Sequence, residues 1–149
     1  MTHSKPLSKK PLKIAKWIPI IMLVISILGF ADASYLTIGH LRGIAPSCGV
    51  LKGCETVTSS SYSEIFGIPV ALGGSFYYLF VFILSIAYLD TKKEQLIQFA
   101  SILTPLGLAA SIWFVYLQIV VLKTICLYCM WSALFSTVLF TLGMTVLYK

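Results

Sequence analysis

The chain has 149 residues, of which 58% are hydrophobic and only 11% charged, with a mean hydropathy of +0.93. That balance excludes a soluble globular domain and fits apolar runs of the roughly 20 residues that a membrane-spanning helix needs. The net charge of +6 is then a topology signal and an attraction to anionic lipid, and gives no argument for nucleic-acid binding.

Residues 1–16 form a basic tail, with Thr2 to Lys10 expected to be disordered, and 17–149 form a single membrane domain. The first span is read at 17–38. A signal peptide is its rival, because Lys9, Lys10, Lys13 and Lys16 precede an apolar run. That run is longer than a usual signal core, lacks a convincing small-x-small cleavage site and is followed by three more spans. Asp32 lies inside the span, where a carboxylate reads as functional or as bonded to another helix. His40 follows as an interfacial residue.

The loop 39–68 is the one sizeable extramembrane piece and holds Cys48 and Cys54. Within it, Ser61-Tyr62-Ser63-Glu64 has the Ser-x-x-Glu form of a capping box, so a short helix is expected to begin there and carry Ile65 and Phe66 as a lid on the bundle. The second span, 69–89, opens on Pro69, where a missing donor costs nothing. Gly73, Gly74 and Ser75 in it either clear room for a ring or serve helix contact. The third span, 96–122, carries Pro105, where a bend is expected. After the short Lys123-Thr124 connection the fourth span runs 125–148. The fold class is therefore all-α: a four-transmembrane-helix bundle with a short outer-face helix in the first loop.

An even number of spans puts both termini on one side. With the termini cytoplasmic, Lys5, Lys9, Lys10, Lys13, Lys16, Lys92, Lys93 and Lys149 are inside and Arg42, Lys52 and Lys123 outside, the bias the positive-inside rule requires. All four cysteines then lie at the outer face, in a compartment that permits disulfides.

Cys126-Leu-Tyr-Cys129 places two thiols at the start of a helix, on one side and close enough to form a disulfide, where unsatisfied N–H groups favour a thiolate. Zinc sites share that spacing. Cys48 and Cys54, with Gly49 and Gly53 between them, read either as a structural bridge or as a mobile redox pair. Taken together, the two pairs suit a disulfide relay: a loop pair meets a soluble partner, and a helix pair at the bilayer edge hands electrons to a lipid-soluble acceptor. A non-catalytic membrane protein braced by outer-face disulfides is the alternative.

The run Asp32-Ala33-Ser34-Tyr35-Leu36-Thr37, then Cys48-x5-Cys54-Glu55, then Tyr62-Ser63-Glu64-Ile65-Phe66-Gly67-Ile68-Pro69-Val70-Ala71, then Cys126-x-x-Cys129 resembles the bacterial branch of the vitamin K epoxide reductase family. The resemblance implies a bundle around a quinone, menaquinone or ubiquinone, in the bacterial inner membrane. It implies that Cys129 lies closest to the quinone, that Cys126 exchanges with the Cys48–Cys54 pair, and that Ser63, Phe66 and Val70 are quinone-binding positions. It also implies a thioredoxin-like exported thiol oxidase that reduces Cys48–Cys54; the chain stops at Lys149, so this partner is expected to be a separate protein. Animal members hold the quinone with an asparagine where this sequence has Ser63 and with a tyrosine where it has Ala133. The reading is accordingly quinone reduction coupled to disulfide formation rather than epoxide reduction. A four-span quinone-linked disulfide oxidase of the unrelated type would carry its C-x-x-C in the first outer loop, the reverse of the order here.

Overall fold

The computed structural model describes residues 14–44 and 53–148; the tail up to Lys13, the segment 45–52 with Cys48, and Lys149 lie outside the described residues. In chain order the elements are α1 (Trp17–Leu41), α2 (Gly53–Thr58), a 3-10 turn (Ser61–Ser63), β1 (Glu64–Ile65), β2 (Ile68–Pro69), α3 (Val70–Thr91), α4 (Glu94–Tyr116), a π-helical turn (Leu117–Val121) and α5 (Leu127–Leu147). Lipid offers no partner for a free N–H or C=O, so each apolar run satisfies its own backbone as a helix. α1, α3, α4 with its π turn, and α5 are each long and apolar enough to cross a membrane.

α1 packs on α3 and α5, and α4 packs on α5 and α3. Successive spans alternate in direction, so the four close into an antiparallel ring. Ile18, Met22, Ala33, Tyr78, Val81, Ile97, Ala100, Leu139, Leu142 and Val146 fill its centre. Large side chains such as Val24, Leu28, Phe76, Ile83 and Ile102 stay exposed on the outside, where acyl chains replace water as their neighbours. With no hydrophobic force between helices in lipid, close approach and hydrogen bonding do the holding. A Cβ on Gly29 would lie 2.4 Å from the Tyr78 ring, and one on Gly143 would lie 2.6 Å from Thr104 Oγ1. The Tyr78 hydroxyl donates to Ser132 O at 2.7 Å and lies 2.9 Å from Ser136 Oγ, tying α3 to α5.

The four long apolar helices lie in the four stretches read from the sequence, their ends differing by at most three residues. Pro69 precedes α3 as its N-cap, in extended backbone. Pro105 does not end α4: the Ser101 carbonyl that would have taken its N–H accepts Thr104 Oγ1 at 2.7 Å instead.

The helix expected from Ser61 is corrected by the structure to a single 3-10 turn followed by a β-ribbon, Glu64 opposite Pro69 and Ile65 opposite Ile68. Phe66 (φ 53°) and Gly67 (φ 77°) are both left-handed, the pattern of a two-residue type I′ turn, and a helix cannot pass through it. Glu64 does not turn back to cap; its Oε1 takes the His40 Nε2 contact. The short helix of this loop is α2, eight residues earlier.

Candidate functional site

Gly53 begins α2, and its missing side chain sets where that helix can sit. A Cβ there would lie 2.1 Å from the Ile125 carbonyl oxygen, so only glycine lets the two backbones meet. This approach seats Cys54 against Cys126: their Sγ atoms are 3.3 Å apart, with the Cys126 thiol donating. Cys54 is 1% and Cys126 0% exposed, walled by Val57, Leu122 and Tyr128. Cys54 is disulfide-bonded, while Cys126 and Cys129 are free thiols. Cys48 lies outside the described residues.

Cys126 is the N-cap of α5, in extended backbone (φ −93°, ψ 121°), and Cys129 lies in the first turn, partly buried. A hydrogen bond from the Cys129 thiol, helped by the backbone N–H groups of Cys129 and Tyr128, lowers the Cys126 thiol to about 7 against the opposing effect of burial. Cys126 is thus the more readily ionised thiol of the pair, with Cys129 steadying its charge.

The connection between α4 and α5 doubles back on the end of α4. Lys123 takes a left-handed φ of 52°, and the Thr124 N–H donates to Gln118 O at 3.0 Å. The Cys126 N–H then donates to Gln118 Oε1 at 2.9 Å. Gln118 is 1% exposed, within the π turn, and its Nε2 has no partner.

Below the cysteines a cavity of about 360 Å³ opens between α1, α3, α4 and α5, a size within the ~300–1,000 Å³ of ligand pockets. Its wall is mostly apolar, from Leu36, Val57, Leu106, Ala110, Phe114 and Leu122. Cys129, Ser63 and Val70 line it, as do Ala133, Gly73 and Gly74. Nothing lies within 4 Å of where a Gly73 Cβ would be, so that glycine clears space. Phe66 does not join them: it sits at the ribbon's turn, 100% exposed, turned away by its left-handed backbone. The Ser63 hydroxyl is already committed, donating to Ser60 O at 2.7 Å.

Two polar groups on the wall escaped the sequence reading. Tyr77 OH and Gln118 Nε2 are buried without hydrogen-bond partners. A glutamine inside an apolar 28-residue span was a visible signal, since polar groups at membrane depth are costly and tend to be functional. Asp32 also has a buried carboxylate oxygen without a partner. His40, read as interfacial, ties the loop to the bundle: Nδ1 meets Thr58 O at 3.3 Å and Nε2 meets Glu64.

Fold and site together define a multi-pass membrane protein with buried, closely apposed cysteine sulfurs above an apolar cavity. A profile of the vitamin K epoxide reductase family matches residues 20–144, and the chain belongs to that family. Its members are membrane thiol–disulfide oxidoreductases that use quinones, which is the class of this protein. No individual curated protein matches the chain significantly.

Proposed function

We propose that the protein reoxidises an exported thioredoxin-like thiol oxidase and passes the electrons through Cys48–Cys54 and then Cys126–Cys129 to a membrane quinone, supporting disulfide formation outside the cell. The observation that carries this reading is the 3.3 Å approach of Cys126 Sγ to the disulfide-bonded Cys54. The partner's dithiol reduces the loop disulfide and becomes a disulfide itself. The Cys54 thiolate attacks Cys126 of the Cys126–Cys129 disulfide, forming Cys54–Cys126 and releasing Cys129 as the leaving thiolate. Cys48 then attacks Cys54, restoring the loop disulfide and freeing Cys126. A disulfide at Cys54 beside free thiols at Cys126 and Cys129 supports this order.

The residues present fit a quinone. The cavity is apolar, reaches Cys129 and holds two buried donors lacking acceptors. When bound there, a quinone accepts two electrons and two protons as Cys126 and Cys129 close to a disulfide. The cavity wall excludes water from the Cys129 sulfur, and the Cys126 N-cap position holds the pair in reach of each other. Orientation follows the charge: Lys16, Lys92 and Lys93 stand at the end of the ring opposite α2 and Cys126, so the cysteine end is the outer one.

Thiol trapping of the purified protein with a reduced thioredoxin-like oxidase tests the relay. Quinone should leave the partner oxidised over many turnovers, and omission of quinone should leave the Cys126–Cys129 pair reduced. Cys129→Ser should stop quinone reduction and accumulate the Cys54–Cys126 mixed disulfide. Quinone reduction at the original rate in that variant refutes the relay.

A further inference from the structure

From Ile65 to Leu89 the sequence carries no charged residue, so the apolar run that becomes α3 already begins in the β-ribbon. The ribbon's turn, Phe66-Gly67, is left-handed at both residues. Glycine suits that backbone, and asparagine, aspartate or glycine is the usual first residue of such a turn. A phenylalanine there is strained, and nothing in the protein offsets the strain, because the Phe66 ring is 100% exposed. Ile65 and Ile68, paired across the ribbon, are exposed as well. Pro69, the next residue, is buried and lines the cavity. Successive residues of a strand point to opposite faces, so the ribbon turns one apolar side to the bundle and another away from it.

The depth of the outward side is fixed at two points. α3 has 22 residues, about 33 Å at 1.5 Å each, against a hydrocarbon layer of about 30 Å. With Asp90, Lys92 and Lys93 at its far end, Val70 marks the edge of that layer at the cysteine end, and Pro69 precedes it directly. On the other strand, Glu64 meets His40 in the last turn of α1, the end of a second span. The base of the ribbon, Glu64 opposite Pro69, therefore stands at the lipid boundary. Phe66 and Gly67 lie only two residues beyond that base, at most about 7 Å at a strand rise of 3.3 Å per residue. The headgroup layer is roughly 5–7 Å thick on each side, so a tip on so short a stem stays within it whichever way it leans. Glu64 is the ribbon's single charged residue and sits at the base against His40, so charge does not oppose insertion of the tip.

We propose that the ribbon tip, Phe66 flanked by Ile65 and Ile68, is a lipid anchor seated between headgroups and acyl chains of the leaflet at the cysteine end, a depth that suits aromatic rings. It straps the far end of the loop that carries Cys54 to the membrane surface.

The test puts the photoreactive p-benzoylphenylalanine in place of Phe66 in the full chain, reconstituted in vesicles of phosphatidylethanolamine and phosphatidylglycerol. Irradiation should give phospholipid adducts at position 66, read by mass spectrometry, as should the same probe in place of Phe76, exposed on the outside of α3. Position 66 free of lipid while position 76 is labelled overturns the anchor. So do adducts to a second copy of the chain or, once a reduced thioredoxin-like oxidase is added, to that protein in place of lipid. Phe66→Trp gives a second reading if the probe variant does not fold. Its added fluorescence should be blue-shifted, and quenched more by lipids brominated near the glycerol end of the acyl chain than near the methyl end. Added emission typical of tryptophan in water, quenched by neither lipid, overturns the anchor on its own.

Discussion

Gly53→Ala is the sharpest perturbation the structure offers, because two effects of opposite sign compete and one must win. Alanine is the better helix residue, by about 1 kcal/mol. Against that, its Cβ would stand 2.1 Å from the Ile125 carbonyl oxygen and 2.8 Å from the carbonyl carbon, where side-chain carbons do not come under 3.0 Å. The neighbour is backbone and cannot swing aside, so α2 must retreat by at least 3.0 minus 2.1, or 0.9 Å. Carried along the line between the sulfurs, that takes the Cys54–Cys126 separation from 3.3 to about 4.2 Å. A misplacement near 1 Å costs on the order of 100-fold in a step that depends on near-attack geometry, and overpacking costs about 1–3 kcal/mol of stability. Acid-quench thiol trapping should therefore show exchange between the loop and helix pairs slowed about 10- to 100-fold, with quinone affinity unchanged. Gly74→Ala serves as control, its Cβ meeting only Ala33 at 3.7 Å. If Gly53→Ala melts higher and exchanges at the original rate, helix propensity has won and the seat of α2 does not set the sulfur contact.

Cys126 is held near 7, chiefly by the Cys129 thiol, so the reverse step, attack of the reduced Cys126 on the loop disulfide, should rise as pH passes 7 rather than near the ordinary thiol value of 9.0. The sign is that of a depressed acid: the stabilisation is present above the ordinary value and is lost as pH falls through about 7. Cys129→Ala should return Cys126 upward and cut its ionised fraction at neutral pH, seen as loss of thiolate ultraviolet absorbance; an unmoved titration removes Cys129 from this role. Gly29→Ala, forced against the Tyr78 ring, should lower stability in detergent by about 1–3 kcal/mol. Tyr78→Phe, which loses the bonds to Ser132 and Ser136, should cost on the order of 1 kcal/mol; for both variants, no change in thermal melting contradicts the packing described. Phe66→Ala should leave quinone affinity as it is, since Phe66 lies wholly outside the cavity; weakened binding would bring the turn back into the site.

The four spans were legible because lipid makes length and apolarity nearly sufficient for a helix. That Cys54 and Cys126 come to the same end of the ring was legible from chain order. What escaped depends on contacts between distant segments. α2 is built from Gly53, Cys54, Glu55, Val57 and two threonines and is followed by serines that read as turn formers; Thr58, Ser59 and Ser60 fold their hydroxyls back onto the carbonyls of Cys54, Glu55 and Val57. The Ser61-x-x-Glu64 pattern misled because Phe66 and Gly67 impose a hairpin turn and His40 takes the carboxylate. The π turn at Leu117–Val121 answers to the returning Lys123–Cys126 segment and has no local signature. Ser63 and Val70 line the cavity, while Tyr77 and Gln118 stand out only once their lack of partners is seen.

The near-total burial of Cys54 and Cys126 also determines what cannot react. A small soluble thiol diffusing past the loop meets Val57, Leu122 and Tyr128 before it meets either sulfur, so it cannot bleed electrons into the chain between its two ends. On the relay proposed above, the sulfur contact would work as an insulated junction: an aqueous reservoir of reductant and a lipid reservoir of oxidant would communicate through one bridge walled by Val57, Leu122 and Tyr128, with side reactions blocked by packing.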